Sequence, residues 1–120
     1  MNSIFGSLFI VSTPLGNLKD ITLRALNIMK NSYLIAAEDT RKSQILLNEY
    51  NIKTKMISYH EHNSHNRIKT IISYLKDGKN ISLISDAGTP GISDPSYRLI
   101  RSAIENEITV NSIPHFQWHF

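Results

Sequence analysis

Cysteine is absent from the 120 residues. That removes disulfide frameworks, thiolate zinc sites, iron–sulfur clusters and cysteine nucleophiles at once, and it fits a reducing, cytoplasmic compartment. Long apolar runs are missing as well. Nothing approaches the roughly 18 consecutive apolar residues of a membrane helix, so no membrane association is expected. Met1 to Val11 has neither a basic leader nor a small-residue cleavage site, so no secretory signal is expected. Glycine is scarce, at five residues, and neither G-x-G-x-x-G nor G-x-x-x-x-G-K-[ST] occurs; a dinucleotide fingerprint and a P-loop are thereby excluded. Repeats and low-complexity linkers are lacking. Charge is nearly balanced, 13 Lys and Arg against 10 Asp and Glu, a +3 excess that permits a polyanionic partner without requiring one.

What remains is an ordinary globular composition, 41% hydrophobic and 19% charged, long enough for a single domain with its own core. Short runs rich in β formers alternate with helical patterns. The runs are Leu8 to Val11, Tyr33 to Ala37, Lys55 to Tyr59, Ile81 to Ile84 and Ile108 to Ile113. Runs of this length suit strands buried on both faces. Between the first two runs, Asp20 is positioned to cap a helix carrying Leu23, Leu26 and Met29. Thr40 or Asp39 opens a second, through Ile45, Leu46 and Tyr50. Ile68, Ile71, Ile72 and Leu75 mark a third at helical spacing, closed by Gly78. Asp94-Pro95 pairs a cap with proline at the first helical position, ahead of Leu99, Ile100, Ala103 and Ile104. The order β-α-β-α-β-α-β-α-β predicts an α/β fold: a mostly parallel five-stranded sheet with helices on both faces and right-handed crossovers.

Parallel sheets of this kind bind ligands beyond the carboxyl ends of their strands. The segments after the runs are therefore where chemistry is expected. They read Thr13 to Asp20, Glu38 to Arg41, His60 to Asn63 and Ser85 to Pro95, and the first and fourth hold three of the five glycines and three of the four prolines. In the fourth, Ala87, Gly88 and Gly91 strip away side chains so that backbone amides can approach a ligand, while Pro90 and Pro95 lower the cost of ordering the loop. This suits a nucleoside-like cofactor held by main-chain groups; a turn followed by a helix cap would use the same residues. Thr13-Pro14-Leu15-Gly16 reads as a rigid turn or a ligand contact. Glu38-Asp39-Thr40-Arg41 reads either as a cap with a local ion pair or as acids that orient a hydroxyl beside a phosphate-holding arginine. His60, His62 and His65 lack metal-ligand spacing, and no metal site is expected.

Val11 to Leu26, Ala36 to Arg41, Ser58 to Asn63, Ser85 to Pro95 and Tyr97-Arg98-Leu99 together resemble the N-terminal domain of the ribosomal RNA small subunit methyltransferase I family, within the tetrapyrrole (corrin/porphyrin) methylase superfamily. The resemblance runs unbroken from residue 7 to residue 114. It implies transfer of a methyl group from S-adenosylmethionine to the ribose 2′-oxygen of a cytidine in 16S rRNA of the small ribosomal subunit. It also implies a cofactor cleft between two α/β domains, and a homodimer. Carried over residue by residue, Ser85, Asp86, Ala87, Gly88, Gly91 and Ile92 would line the cofactor site, with Thr13, Pro14 and Gly16 in the same cleft. Glu38, Asp39, Arg41, His60 and Glu61 would face the substrate, and the proton acceptor would be one of Glu38, Asp39, His60 and Glu61. The tetrapyrrole branch is the neighbouring alternative.

The resemblance stops after Pro114, where the family continues Gly-Pro-Ser-Ala into a second domain. Here His115 to Phe120 follows, holding the only Trp, two of four Phe and two of five His. Residues 1–114 are thus expected to form a cofactor-binding domain with the second domain absent, and residues 115–120 to be an atypical, frameshift-like tail. On that expectation the chain is either an enzyme domain or a non-catalytic, binding-only remnant.

Overall fold

A computed structural model describes residues 4–13, 20–85 and 94–113. Nine elements alternate as expected: β1 (Leu8–Ser12), α1 (Leu23–Asn31), β2 (Leu34–Ala37), α2 (Thr40–Glu49), β3 (Met56–Ser58), α3 (Ser64–Lys76), β4 (Ile81–Ser85), α4 (Pro95–Glu105) and β5 (Val110–Ile113). The strands form one sheet in the order β3-β2-β4-β1-β5, and every neighbouring pair is parallel.

Strand alternation divides the core in two. Leu8 and Ile10 of β1, Leu34 and Ala36 of β2, and Ile81 and Leu83 of β4 face α3 and α4, meeting Ile71, Leu75, Leu99 and Ile100. Val11, Ile35, Ala37 and Ile84 point the other way and meet Ala25, Leu26 and Met29 of α1 and Leu46 and Leu47 of α2. The central strands β2 and β4 are buried along their whole length. That is why they read as unbroken apolar runs rather than as alternating ones. The exceptions are Ser85 at the end of β4 and Ser82 within it, fully buried, whose hydroxyl is matched by that of Ser32 at the end of α1.

Local chemistry sets the helix ends, with two departures from expectation. Thr22, not Asp20, caps α1; its side chain accepts the Ala25 N–H at 3.1 Å. Leu23 and Ile45 lie in solvent, 79% and 61% exposed. At 100° per residue Leu23 stands about 120° away from Met29, outside the stripe that α1 buries. On α2 the buried stripe runs through Ser43, Leu46 and Leu47, which leaves Ile45 on the opposite side. Asp39 is the cap of α2 and Asp94 that of α4, with Pro95 at its start. Gly78 adopts a φ of +87° just past α3, the left-handed conformation that favours glycine there. Gly6 is required for another reason: a Cβ on it would lie 1.8 Å from the Lys79 carbonyl oxygen.

Tyr33 and Ile108 fall just outside β2 and β5. Tyr33 is half exposed and packs its ring on Tyr74, 4.9 Å between centroids. The Ile108 amide closes back onto the Ala103 carbonyl at the end of α4. Lys55 and Tyr59 flank the shorter β3 yet still bond to β2, through the Lys55 carbonyl and the Tyr59 amide.

Candidate functional site

Because all strands run one way, their carboxyl ends share one rim. β1 and β4 are neighbours with Ser12 opposite Ser85. The pairing extends one residue further, where the Thr13 N–H donates to the Ser85 carbonyl at 3.0 Å. The segments that follow β1 and β4 therefore start side by side. Their helices then part, α1 to one face and α4 to the other. Adjacent strands whose connections leave to opposite faces open a crevice at the switch point. The same parting occurs between β2, followed by α2, and β4, followed by α4.

A cavity of about 180 Å³ lies in this second crevice. Ile84 and Ser85 form its floor, Glu38, Asp39 and Ser43 one wall, and Asp94 and Ser96 the other. Two of its three carboxylates hold helices in place. Asp39 accepts the Lys42 N–H at 3.1 Å, and Asp94 accepts the Ser96 N–H at 2.8 Å. Both sit where the helix dipole favours negative charge. Each such bond uses one carboxylate oxygen. Glu38 is exposed and has no hydrogen bond or ion pair among the described residues.

A second polar group lies one strand over, after β3. Asn63 donates to the Ser58 hydroxyl at 3.0 Å and accepts the His60 N–H at 2.9 Å. The Arg67 guanidinium reaches back to the Ser58 carbonyl at 3.0 Å. Tyr59, only 1% exposed, donates its phenol to the Pro95 carbonyl and so ties the end of β3 to the start of α4. Burial pushes the Tyr59 phenol well above its ordinary pKa, against a smaller opposing pull from Arg98.

Of the residues expected at a site, Glu38, Asp39 and Ser85 meet around the cavity, and Thr13 is bonded to Ser85 beside it. Arg41 is exposed on the first turn of α2 and does not line the cavity. His60 and Glu61 share the rim but also stand outside that lining. Pro14, Gly16, Asp86, Ala87, Gly88, Gly91 and Ile92 lie outside the described residues. Ser43, Asp94 and Ser96 line the cavity without having been singled out as site residues. Ser43 sits one turn into α2 from Asp39, and Asp94, the cap of α4, belongs to the Ser85–Pro95 segment expected at the rim. Among the described residues, no three His, Asp or Glu side chains are placed to share a metal ion, and no helix is long and apolar enough to cross a membrane.

Fold and rim together define a doubly wound, all-parallel α/β protein with a polar crevice at its topological switch. A family model for the tetrapyrrole (corrin/porphyrin) methylases matches residues 7–116, and the chain belongs to that family. It is 51% identical over 109 residues to a ribosomal RNA small subunit methyltransferase I of Halalkalibacterium halodurans and 50% identical over 109 residues to that of Thermotoga maritima. These alignments take in 91% of this chain but 38% and 49% of the two relatives, so the chain spans less than half their length. Among solved structures it is similar to uroporphyrin-III-C-methyltransferase from Thermus thermophilus, with a TM-score of 0.67 at 13% identity over 93% of this chain and 48% of the other. A putative cobalamin synthesis related protein from Corynebacterium diphtheriae gives 0.63, also at 13% identity, over 90% of this chain and 51% of the other. At that identity the likeness establishes the fold.

Proposed function

We propose that the chain carries the S-adenosylmethionine-binding domain of a methyltransferase acting on small-subunit rRNA, with the ribose 2′-oxygen of a cytidine as acceptor. The observation that carries this reading is the 51% identity over 109 residues to a protein named ribosomal RNA small subunit methyltransferase I. The rim agrees in its chemistry. Carboxylates and hydroxyls around the Ile84 and Ser85 floor suit a cofactor bearing a ribose diol, an ammonium and a sulfonium. At about 180 Å³ the cavity between β2 and β4 has room for one part of such a molecule; the remainder would lie along the rim toward β1.

When bound, S-adenosylmethionine supplies a methyl group already activated on sulfur. The protein's own work is to bind, to aim the acceptor and to accept a proton. The Thr13–Ser85 hydrogen bond holds the ends of β1 and β4 together. Asp39 and Asp94, held by their helix caps, give the ligand carboxylates of set position. A ribose hydroxyl is a weak acid, and a base beside it lowers the barrier to its attack. Glu38 takes that role in our reading: it lines the cavity and, unlike Asp39 and Asp94, caps no helix.

Titration calorimetry with S-adenosylhomocysteine is expected to give one saturable site per chain. Labelled S-adenosylmethionine and unmodified small subunits are expected to yield 2′-O-methylcytidine after nuclease digestion. Glu38→Gln should retain cofactor affinity and lose transfer by about 10²-fold or more, as removal of a general base does; His60→Gln should not. Absence of binding at millimolar ligand overturns the assignment. Binding without transfer reduces the chain to a binding-only domain, and label entering only a tetrapyrrole moves it to the other branch of the family.

A further inference from the structure

The chain's net charge is +3, and α3 alone carries Arg67, Lys69 and Lys76 with no Asp or Glu. The other elements and loops together hold ten cations against ten carboxylates. With three cations and no acid α3 is the most positively charged element, ahead of α1 with Arg24 and Lys30, and the structure shows which way its cations point. Arg67 turns inward onto Ser58. Lys69 and Lys76 stay exposed, and neither has an ion-pair partner among the described residues. On the neighbouring helix Arg101 is neutralised by Glu105 at 2.9 Å. Seven residues apart, Lys69 and Lys76 lie on one line, about 20° apart around the helix and about 10.5 Å apart along it. That separation lets the two lysines meet different phosphates of one strand. They border a shallow groove between α3 and α4 whose floor is Ile68 and Ile72 and whose far side offers Ser102 and Asn106. No carboxylate lines it among the described residues.

From this placement we infer that the α3/α4 groove is a docking surface for the phosphate backbone of the RNA substrate. The inference rests on the rRNA reading above and adds where the RNA lies. α3 begins at the carboxyl rim, directly after β3, and runs down from it. A strand seated on Lys69 and Lys76 thus leads up to the rim that holds Glu38. The lysine stems cover the isoleucine floor while their ammonium groups reach the phosphates. Such contacts position the nucleic acid and carry no sequence information.

Neutralising two phosphate contacts lowers the slope of log K against log salt by about 0.7–0.9 for each. The 120-residue chain is titrated with protein-free 16S rRNA between about 50 and 200 mM KCl. The Lys69→Gln/Lys76→Gln variant should show a slope smaller by about 1.5, with unchanged S-adenosylhomocysteine affinity and thermal midpoint. Lys53→Gln/Lys55→Gln, an equal change of charge just before β3 on the opposite rim, should leave the slope near that of the wild type. If the two double variants lose equally, or if Lys69→Gln/Lys76→Gln leaves the slope unchanged while the wild type binds RNA, the surface is misplaced and the rRNA reading survives. If the wild type binds no RNA, both fall. Tighter binding of polyglutamate than of RNA through Lys69 and Lys76 would make the groove a protein-docking surface and overturn the proposal.

Discussion

Tyr59 shows at the scale of one residue how the rim is braced. Its ring is buried among the side chains beneath α3 and α4, and its hydroxyl holds the first carbonyl of α4. Tyr59→Phe removes the donor and with it the hydrogen bond to the Pro95 carbonyl, at a cost of about 1 kcal/mol. Its effect on pH dependence has a definite sign. Burial raises the folded-state pKa above the ordinary tyrosine value, so the folded protein holds the phenolic proton more tightly than the unfolded chain. That contribution to stability is complete below about pH 10 and is lost as pH climbs past it toward the folded-state value. Urea midpoints taken from pH 8 to 11 should fall in the wild type above pH 10 and fall less in Tyr59→Phe. A common decline in both would assign the effect to other groups.

At the scale of the element, the cap of α2 separates structure from chemistry. Asp39 holds the helix through the Lys42 amide and also lines the cavity. Asparagine caps as well as aspartate, whereas alanine costs about 1 kcal/mol. Asp39→Asn is therefore expected to melt like the wild type and Asp39→Ala several degrees lower. If the carboxylate also serves a ligand, both variants lose S-adenosylhomocysteine affinity in calorimetry; if it only caps, Asp39→Asn binds normally. The elements themselves were legible in the sequence, because 3.6-residue and apolar-run patterns survive whatever the tertiary context. Their ends were less so. Asp20 and Thr22 are both competent caps, and the choice depends on which residue adopts the extended backbone. Leu23 and Ile45 are apolar but lie off the buried stripe, a matter of angle that residue type does not reveal. Glu38, Asp39 and Ser85 were legible because a parallel sheet gathers its strand ends on one rim. The placement of Ser43 and Ser96 was not, since a serine in the first turn of a helix looks the same whether it faces solvent or a cavity.

The whole molecule turns on β4, and strand order was the feature least visible beforehand. β1 and β2 follow each other in sequence, yet they do not pair; β4 inserts between them and pairs with both. Local patterns cannot specify such an insertion, because the choice of neighbour is made by side chains more than forty residues apart. Leu83 marks the join: 1% exposed, it lies in register with Ile10 on one side and Ala36 on the other. Leu83→Ala should cost about 2–5 kcal/mol through lost burial and the cavity left behind. The crevices proposed to receive the ligand lie on either side of this same strand, so a ligand held there would bind only the state in which β4 is seated. Linkage then fixes the size of the rescue: S-adenosylhomocysteine at about one hundred times its dissociation constant adds about 2.7 kcal/mol to the folded state. Thermal melts with and without ligand should therefore move up together for wild type and Leu83→Ala, with the variant regaining roughly half or more of its loss. An upward shift in neither protein would mean that the rim between β2, β4 and β1 does not hold the cofactor, whatever its carboxylates and hydroxyls offer.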